Sequence, residues 1–428
     1  MKVLFVYPRF QRHADSNPEL RQMVPMNEYL GSPSLGIASL AAVTPPGWEI
    51  EFRDDRLEPA DAPSDADLVA LSFFTPAAMR AFELARSFRE QGKTVVAGGI
   101  FPTARPEEVA LYFDAVVEGE GEASWVRLLA DFAAGRLAPR YECEAPVDPA
   151  TLPLPRVDLY FAQEREGFKP DDYPVQLSRG CVLSCHACVL PVSMGPAVRE
   201  FPLEHVLGQL DRLGAAGKLA CLTEDTSWFP GAPSRRLGRL FDEMGKRKSR
   251  ISYAGISMPM VLAAQPSLLA RARAAGIDTF YLVGGFDPIT MQAFTAGGAK
   301  ALARAHQAVA KCHDAGIEPY SSFLLGLDED DEGTVDRILE FAARAKIRKA
   351  EFAVFTPYPG TPSWRRLLVA GRILHRDWSL YNDANVVFRP ARMTPEQLHR
   401  GYLRLWREFY ADRSRLQGMS ATERTIQF

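Results

Sequence analysis

The stretch Arg179-Gly-Cys-Val-Leu-Ser-Cys-His-Ala-Cys188 places Cys181, Cys185 and Cys188 in a C-x₃-C-x₂-C array. Thiolates are the soft ligands that iron–sulfur clusters require, and cysteines this close in one loop can bind three corners of a cubane cluster. A cluster normally takes four protein thiolates, so three leave one iron open to a small molecule. Zinc is the alternative, but structural zinc sites usually take two cysteine pairs, and the sequence has no second close pair. We therefore predict a 4Fe-4S cluster held by these three residues.

The length and composition are those of an ordinary globular protein: the chain has 428 residues, of which 47% are hydrophobic and 24% are charged. This length is enough for two or three domains. The formal net charge of −3 gives no reason to expect a nucleic acid or a membrane as partner. The first apolar run is too short for a signal peptide, and no apolar stretch has transmembrane length. Because Cys143, Cys221 and Cys312 are scattered, we predict a protein of the reducing cytoplasm.

Residues 1–137 alternate strand and helix signals at the length of βα units. The predicted strands are apolar runs at residues 2–7, 48–53, 67–74, 94–97 and 115–117. Continuous apolar strands between helices are typical of a doubly wound, Rossmann-like parallel sheet in an α/β protein. No G-x-G-x-x-G follows the first strand, which disfavours a dinucleotide as the ligand.

A sheet of this kind binds its ligands at the carboxyl ends of the strands. Glycines at these ends let the backbone approach a large flat ligand. The candidate binding residues there are Ser72, Thr75, Gly98, Gly99, Glu118, Gly119, Glu120 and Gly121. We therefore predict a ligand site along this edge of the first domain.

The rest of the chain divides into a linker, a second domain and an extension. Prolines crowd residues 138–172, and because proline stiffens extended chain, we predict an inter-domain crossing there. In residues 173–370 six strands are predicted, at residues 173–177, 218–222, 251–257, 279–283, 318–325 and 349–356. Six units with polar or glycine-rich strand ends predict a partial (β/α)₆ TIM-type barrel, with the cysteine loop at its carboxyl face. Residues 371–428 are predicted to form a helical extension that packs on the barrel.

The cysteine array resembles the signature of the radical S-adenosylmethionine (SAM) superfamily, in which SAM chelates the open iron. The glycine-rich strand ends, with Pro33-Ser-Leu-Gly36 and Thr103, resemble the cobalamin-binding domain that precedes many radical SAM domains. Later motifs, such as Gly326-Leu-Asp328, keep the order found in the anaerobic Mg-protoporphyrin cyclase and methylase groups. The chain lacks the D-x-H-x-x-G motif of cobalt-ligating domains, and Ile100 follows the Gly-Gly pair where many relatives have histidine. The resemblance therefore implies cobalamin without a histidine ligand from this domain.

The resemblance implies a cobalamin-dependent methyltransferase acting on an unactivated carbon, or phosphorus, of a small-molecule metabolite. A reduced cluster would cleave SAM to a 5′-deoxyadenosyl radical, with methylcobalamin as the methyl donor. The cluster would need an electron donor such as flavodoxin or ferredoxin. Two alternatives stay open: a radical SAM cyclase or rearrangement enzyme, and an iron–sulfur redox or binding protein without SAM turnover.

Candidate SAM contacts are the polar residues at the barrel's strand ends, namely Glu224, Asp225, Ser257 and Asp287. Carboxylates there can bind the SAM amine or ribose hydroxyls through charge-assisted hydrogen bonds. They can equally cap the helices that follow, so both interpretations stand at this stage. Tyr358 and Trp378 are candidates for the lining of a substrate pocket, with burial in the core as the alternative.

Overall fold

A computed structural model describes residues 1–23, 31–165, 170, 172–183, 185–223, 228, 230–247, 249–284, 287 and 289–412. The first sheet consists of β1 (Lys2–Tyr7), β2 (Glu49–Asp54), β3 (Leu68–Ser72), β4 (Thr94–Gly98), β5 (Ala115–Glu118) and β6 (Arg140–Glu142). All six strands are parallel, in the order β2-β1-β3-β4-β5-β6. The predicted doubly wound sheet is thereby confirmed. Its strand order reverses between β1 and β3, and ligand crevices of such sheets lie at that point.

The α-helices of the described residues are α1 (His13–Ser16), α2 (Leu20–Met23), α3 (Leu35–Val43), α4 (Ala78–Glu90), α5 (Ile100–Ala104), α6 (Pro106–Val109), α7 (Gly121–Ala133), α8 (Asp158–Phe161), α9 (Leu190–Met194), α10 (Leu203–Ala215), α11 (Ala232–Arg247), α12 (Met258–Ala263), α13 (Pro266–Ala274), α14 (Thr290–Ala293), α15 (Ala299–Asp314), α16 (Thr334–Arg344), α17 (Pro362–Val369) and α18 (Pro395–Phe409). No helix among these has the length and apolar character needed to cross a bilayer.

Strand β1 is buried on both faces, because its alternate side chains enter two different cores. Phe5 belongs to one core and packs on Trp125 of α7, with ring centroids 5.2 Å apart. Leu4 and Val6 belong to the other core, which includes Phe88 of α4. Helices therefore cover both faces of the first sheet and leave its strand ends as the accessible edge.

The segment predicted as a linker begins with a strand of the first sheet. Strand β6 pairs in parallel with β5, and only Tyr141 of its three residues is buried. Further along the crossing, the hydroxyl of Tyr160 donates to the carbonyl of Ser34 at 2.6 Å and accepts from the amide of Ala38 at 3.0 Å. The crossing is therefore anchored on the first domain before it enters the second.

The second sheet also has six parallel strands. They are β7 (Asp172–Gln176), β10 (Leu219–Thr223), β11 (Ile251–Ser257), β12 (Thr279–Val283), β13 (Glu318–Leu325) and β14 (Lys349–Val354), and they pair in this order. A two-stranded antiparallel ribbon, β8 (Ser178–Arg179) with β9 (Arg199–Glu200), follows β7. Between the helices and the sheet, Phe280 packs on Trp228 and Phe352 on Trp406, with ring centroids 5.1 Å apart in both pairs. The predicted partial barrel is confirmed, with its helices on one face of the sheet.

Helix α18 covers the outer side of the edge strand β14. The hydroxyl of Thr394 accepts from the amide of Gln397, whose side chain accepts from the Thr394 amide, so a capping box starts the helix. Tyr410, just after the helix, donates its hydroxyl to the carbonyl of Ala350 on β14 at 2.5 Å. The predicted packing on the barrel is confirmed for residues 395–410, whereas residues 413–428 lie outside the described residues.

Candidate functional site

A cavity of about 430 Å³ lies between the carboxyl ends of the two sheets. On the first domain its walls include residues at the ends of β1, β3 and β4, where the strand order reverses, namely Tyr7, Ser72, Gly98 and Gly99. On the second domain the walls include Gln176 of β7, Arg179 of β8 and Thr223 of β10. The two carboxyl edges that the sequence predicts as ligand sites therefore face one shared cavity.

The first-domain wall is bare backbone at Gly98 and Gly99. Gly99 has a φ of +107°, and a Cβ at this position would lie 2.7 Å from the carbonyl oxygen of Phe73, so no side chain fits. The hydroxyl of Thr103 donates to the carbonyl of Gly99 at 2.8 Å and accepts from the amide of Gly119 at 2.9 Å. This bridge fixes the ends of β4 and β5 side by side. Backbone without side chains lets a large planar ligand such as a corrin ring approach closely.

Six of the eight residues predicted for this ligand line the cavity, namely Ser72, Gly98, Gly99, Gly119, Glu120 and Gly121. Two of the eight do not line it. Glu118 forms a bidentate pair with Arg140 of β6, at 2.8 and 3.0 Å, and does not line the cavity. Thr75 is buried at the start of a short 3₁₀ helix, Thr75–Ala77, and is also outside the lining.

The cysteine loop is held by the β8–β9 ribbon, in which Arg179 is paired with Arg199. Gly180 has a φ of +80°, and a Cβ there would overlap the carbonyl oxygen of Ala197. Farther along the loop, the carbonyl of His186 accepts from the amide of Ser363 at 3.0 Å, at the start of α17. The loop is therefore attached to the barrel at both ends, and Ser184 within it lies outside the described residues.

The three thiols differ in exposure. Cys181 is buried, whereas Cys185 and Cys188 are half-buried. Burial raises the pKa of the Cys185 thiol, as do the nearby Cys181 and Asp287. Because cluster ligands are thiolates, binding iron there would release protons.

Within the described ranges, no three His, Cys, Asp or Glu side chains come together as a metal-binding group. The donor set nevertheless fits an iron–sulfur cluster by its chemistry, since three soft ligands share one loop. The assignment of Cys181, Cys185 and Cys188 as ligands stays a prediction.

Two arginines of the cysteine-loop ribbon form buried ion pairs with the first domain. Arg179 binds both carboxylate oxygens of Glu122, at 3.1 and 2.6 Å. Arg199 binds Glu120 through both terminal nitrogens, one of them at 2.8 Å. The side chains of Arg179 and Arg199 are 8% and 17% exposed, and those of both glutamates 6%. The sequence predicted Glu120 as a cobalamin contact, but its charge is matched by Arg199.

The predicted SAM contacts have different outcomes. Glu224 and Asp225 lie outside the described residues. The carboxylate of Asp287 accepts from the amides of Ile289 and Thr290, at 2.8 and 3.2 Å. It thus serves the helix-capping role, and its assignment as a SAM contact stays a prediction. The hydroxyl oxygen of Ser257 is buried and makes no hydrogen bond to the described part of the protein, which leaves it available to a ligand.

Three tyrosines stand side by side on the inner face of the barrel. Tyr253, Tyr281 and Tyr320 occupy β11, β12 and β13, and adjacent ring centroids are 5.9 and 5.4 Å apart. All three keep partial exposure although their strands are central in the sheet. Tyr281 donates its hydroxyl to Glu351 of β14. The barrel interior therefore offers an aromatic and acidic surface, which the sequence analysis missed because the four residues belong to four separate strands.

Two carboxyl groups lie at this surface. Burial raises the pKa of Glu351 to about 8, and Asp383 adds to the rise. Burial also raises the pKa of Asp383 to about 6, and Tyr358 donates to this carboxyl group at 2.8 Å. Among the residues that the structure describes, neither carboxyl group has an ion pair with a lysine or arginine. Trp378, in contrast, is 1% exposed and packs on Phe101, so it belongs to the core.

The substitution Glu351→Gln is expected to remove a pH-dependent loss of stability. In the unfolded chain this group deprotonates near its ordinary pKa of 4.5, whereas in the folded protein it keeps its proton up to about pH 8. The folded state therefore binds more protons in this window, and wild-type stability falls as pH rises through it. Relative to the variant, the wild type should lose a few kcal/mol between about pH 5 and pH 8.

Urea unfolding midpoints at several pH values would measure this effect. Glu318→Gln is the matched control, because Glu318 pairs with Arg348 at the surface and should leave the pH profile unchanged. Parallel pH profiles for the wild type and Glu351→Gln would contradict the expectation.

Comparison with known proteins identifies relatives of the first domain and of most of the chain. Residues 30–129 match the family model of the B12 binding domain. The chain is 27% identical to the bacteriochlorophyllide d C-8(2)-methyltransferase of Chlorobaculum tepidum, over 88% of this chain and 85% of that protein. It is 21% identical to the anaerobic magnesium-protoporphyrin IX monomethyl ester cyclase of Rubrivivax gelatinosus, over 86% and 70% of the two chains.

Among solved structures, the fold is similar to that of TsrM from Kitasatospora setae, a radical S-adenosylmethionine methyltransferase solved with cobalamin and a 4Fe-4S cluster. The TM-score is 0.62 at 18% sequence identity, over 94% of this chain and 85% of that one. The resemblance inferred from the cysteine array and the glycine-rich strand ends is thereby confirmed: residues 30–129 match the B12 binding domain, and the chain is similar over most of its length to a methyltransferase, to a cyclase and, in its fold, to a radical SAM methyltransferase.

Proposed function

We propose that this protein is a cobalamin-dependent radical SAM methyltransferase that methylates an unactivated carbon of a small molecule. The observation that carries the proposal is the cavity shared by the two carboxyl edges, with the glycine wall of the B12 binding domain on one side and the ribbon of the cysteine loop on the other. Two cofactors that must act on one substrate need such a common space.

Each cofactor has candidate residues on this chain. Cys181, Cys185 and Cys188 would hold the cluster, and the unbonded hydroxyl of Ser257 would contact SAM. The backbone wall around Gly99 would hold cobalamin, and the described residues that line the cavity include no histidine. When bound, these groups supply the substrate radical and the methyl group, while the protein orients them and excludes water.

The substrate would enter the barrel interior beside the cavity. The tyrosine rings of β11, β12 and β13 offer apolar faces, and the carboxyl groups of Glu351 and Asp383 offer hydrogen bonds. A small molecule with a planar body and a few polar groups would fit such a surface. The electrons for the cluster would come from a flavodoxin or a ferredoxin.

We also propose domain boundaries that follow the strand pairing. The first domain would run through β6, to residue 142, because this strand completes the first sheet. The crossing would end at residue 172, the barrel at residue 370, and the extension would take the remainder. Limited proteolysis should cut first within the crossing, between residues 143 and 172.

The test of the proposed function is anaerobic reconstitution with iron, sulfide and cobalamin, followed by incubation with SAM and dithionite. A methyltransferase is expected to retain cobalamin through gel filtration and to form S-adenosylhomocysteine only when cobalamin is present. Formation of 5′-deoxyadenosine without S-adenosylhomocysteine would favour the cyclase alternative, which the similarity to a cyclase supports. If neither product forms, the result contradicts the radical SAM proposal and favours a redox or binding protein.

A further inference from the structure

We infer that Arg179, Arg199, Glu120 and Glu122 form a clamp that positions the cysteine loop against the cobalamin cavity and couples the two cofactors. The inference rests on the proposed function, because it assigns these residues a role only if both cofactors bind. In the clamp the glutamates belong to the first domain and the arginines to the second. The four are therefore positioning residues for the cofactors, and none of them is assigned a contact with the substrate.

The clamp contacts the ribbon from which the cysteine loop begins. Arg179 lies two residues before Cys181, and Arg199 is its register partner across the β8–β9 ribbon. Both guanidinium groups of the ribbon reach the start of α7, where Glu120 precedes Gly121 and Glu122 lies in the first turn. A displacement of this turn would therefore move the start of the cysteine loop with it.

The contacts of the clamp restrict the orientation of both arginine side chains. Arg179 makes a two-point contact with Glu122, which fixes the plane of the guanidinium group, and this group also lies 5.6 Å from the ring centre of Phe201. The carboxylate of Glu120 accepts from Arg199 and from the amide of Val147 at 2.7 Å. Because these charges are buried, loss of one member leaves its partner uncompensated, and the pairs resist separation.

Three members of the clamp also line the cavity, namely Glu120, Glu122 and Arg179. A ligand in the cavity therefore contacts the groups that hold the cysteine loop. Energetic coupling between two sites is reciprocal, so occupancy of the cavity should alter the cluster, and the cluster should alter the affinity for cobalamin. This role also accounts for Glu120 and Glu122, the two glutamates of residues 118–122 that follow the end of β5.

The experiment compares Arg179→Gln with the matched control Arg140→Gln. Arg140 also makes a bidentate pair with a glutamate, Glu118, but within the first domain and outside the cavity lining. Proteins are reconstituted with iron and sulfide, with and without hydroxocobalamin. Three quantities are measured: bound iron, cobalamin retained after gel filtration, and the electron paramagnetic resonance spectrum of the dithionite-reduced cluster.

In the wild type and in Arg140→Gln, addition of cobalamin is expected to change the cluster spectrum. In Arg179→Gln this change should be lost and cobalamin affinity should fall about tenfold, as when a group that supports a metal ligand is removed, while bound iron is retained. Glu122→Gln should have the same effect from the other domain. The double variant R179Q/E122Q removes both charges, so it should fold even if a single variant does not, and it should still lack the spectral change.

Each remaining outcome decides against a stated claim. A wild type that binds cobalamin without any change in the cluster spectrum overturns the clamp as a coupling device and leaves the proposed function intact. A wild type that binds no cobalamin overturns the proposed function and the clamp together. A double variant that keeps the wild-type spectral change and cobalamin affinity overturns the clamp, because both of its domains are then connected by other contacts.

Discussion

Replacing any one of Cys181, Cys185 and Cys188 by alanine is expected to abolish SAM cleavage. Each substitution removes one of only three thiolates available to the cluster, and loss of a direct ligand costs more than the 10- to 100-fold typical of outer-shell partners. Formation of 5′-deoxyadenosine should therefore fall by roughly two orders of magnitude or more. Bound iron and the visible absorption of the reconstituted cluster should fall in parallel.

Cys312→Ala is the control for these three variants. Cys312 is fully buried in α15, away from the cysteine loop, and its thiol packs as a small apolar group. This variant should keep its iron and its absorption. A cysteine-loop variant that retained wild-type iron content and 5′-deoxyadenosine formation would contradict the ligand assignment.

The substitution Gly98→Leu is expected to remove cobalamin while sparing the cluster. Gly98 lines the cavity, and a Cβ there would have its nearest neighbour, Val117, at 3.8 Å, so the backbone tolerates a side chain. The added isobutyl group would occupy space that a corrin ring needs. Cobalamin retained after gel filtration should fall by at least about tenfold, since overfilling a packed site costs about 1–3 kcal/mol.

Gly214→Leu is the matched control for this substitution. Gly214 lies in α10, and nothing stands within 4 Å of a Cβ at that position. Cobalamin retention should be unchanged in this variant, and iron content should be unchanged in both. Wild-type cobalamin binding by Gly98→Leu would show that the ligand occupies another place than the cavity between the strand ends.

Much of the fold follows from local patterns. The predicted strands at residues 251–257, 279–283 and 318–325 coincide with β11, β12 and β13, because buried parallel strands are continuous apolar runs between helices. Strand β6 was not predicted. Its sequence, Arg-Tyr-Glu, has a single apolar residue, and the strand exists because the exposed edge of β5 supplies its hydrogen bonds.

The sequence predicts only those parts of the candidate site that depend on residues close together in the chain. The cysteine spacing identifies the donor set, and glycines after strands identify the bare wall of the cavity. The roles of Glu118 and Glu120 were not accessible in this way, because their partners, Arg140 and Arg199, are 22 and 79 residues away. The amides that Asp287 accepts from became visible only in the structure.

The sequence by itself determined the three thiols of one loop, the order of the βα units and the glycine-rich strand ends, since each depends on neighbouring residues along the chain. Only the tertiary structure decided that the carboxyl edges of two sheets face a common cavity, and that Glu122 binds Arg179 across the domain boundary. It also decided that Tyr281, which stands between two other tyrosines, donates to Glu351 inside the barrel. These contacts join residues from different domains and strands. They arise when the apolar faces of both sheets are buried and the remaining polar groups must find partners wherever packing brings them.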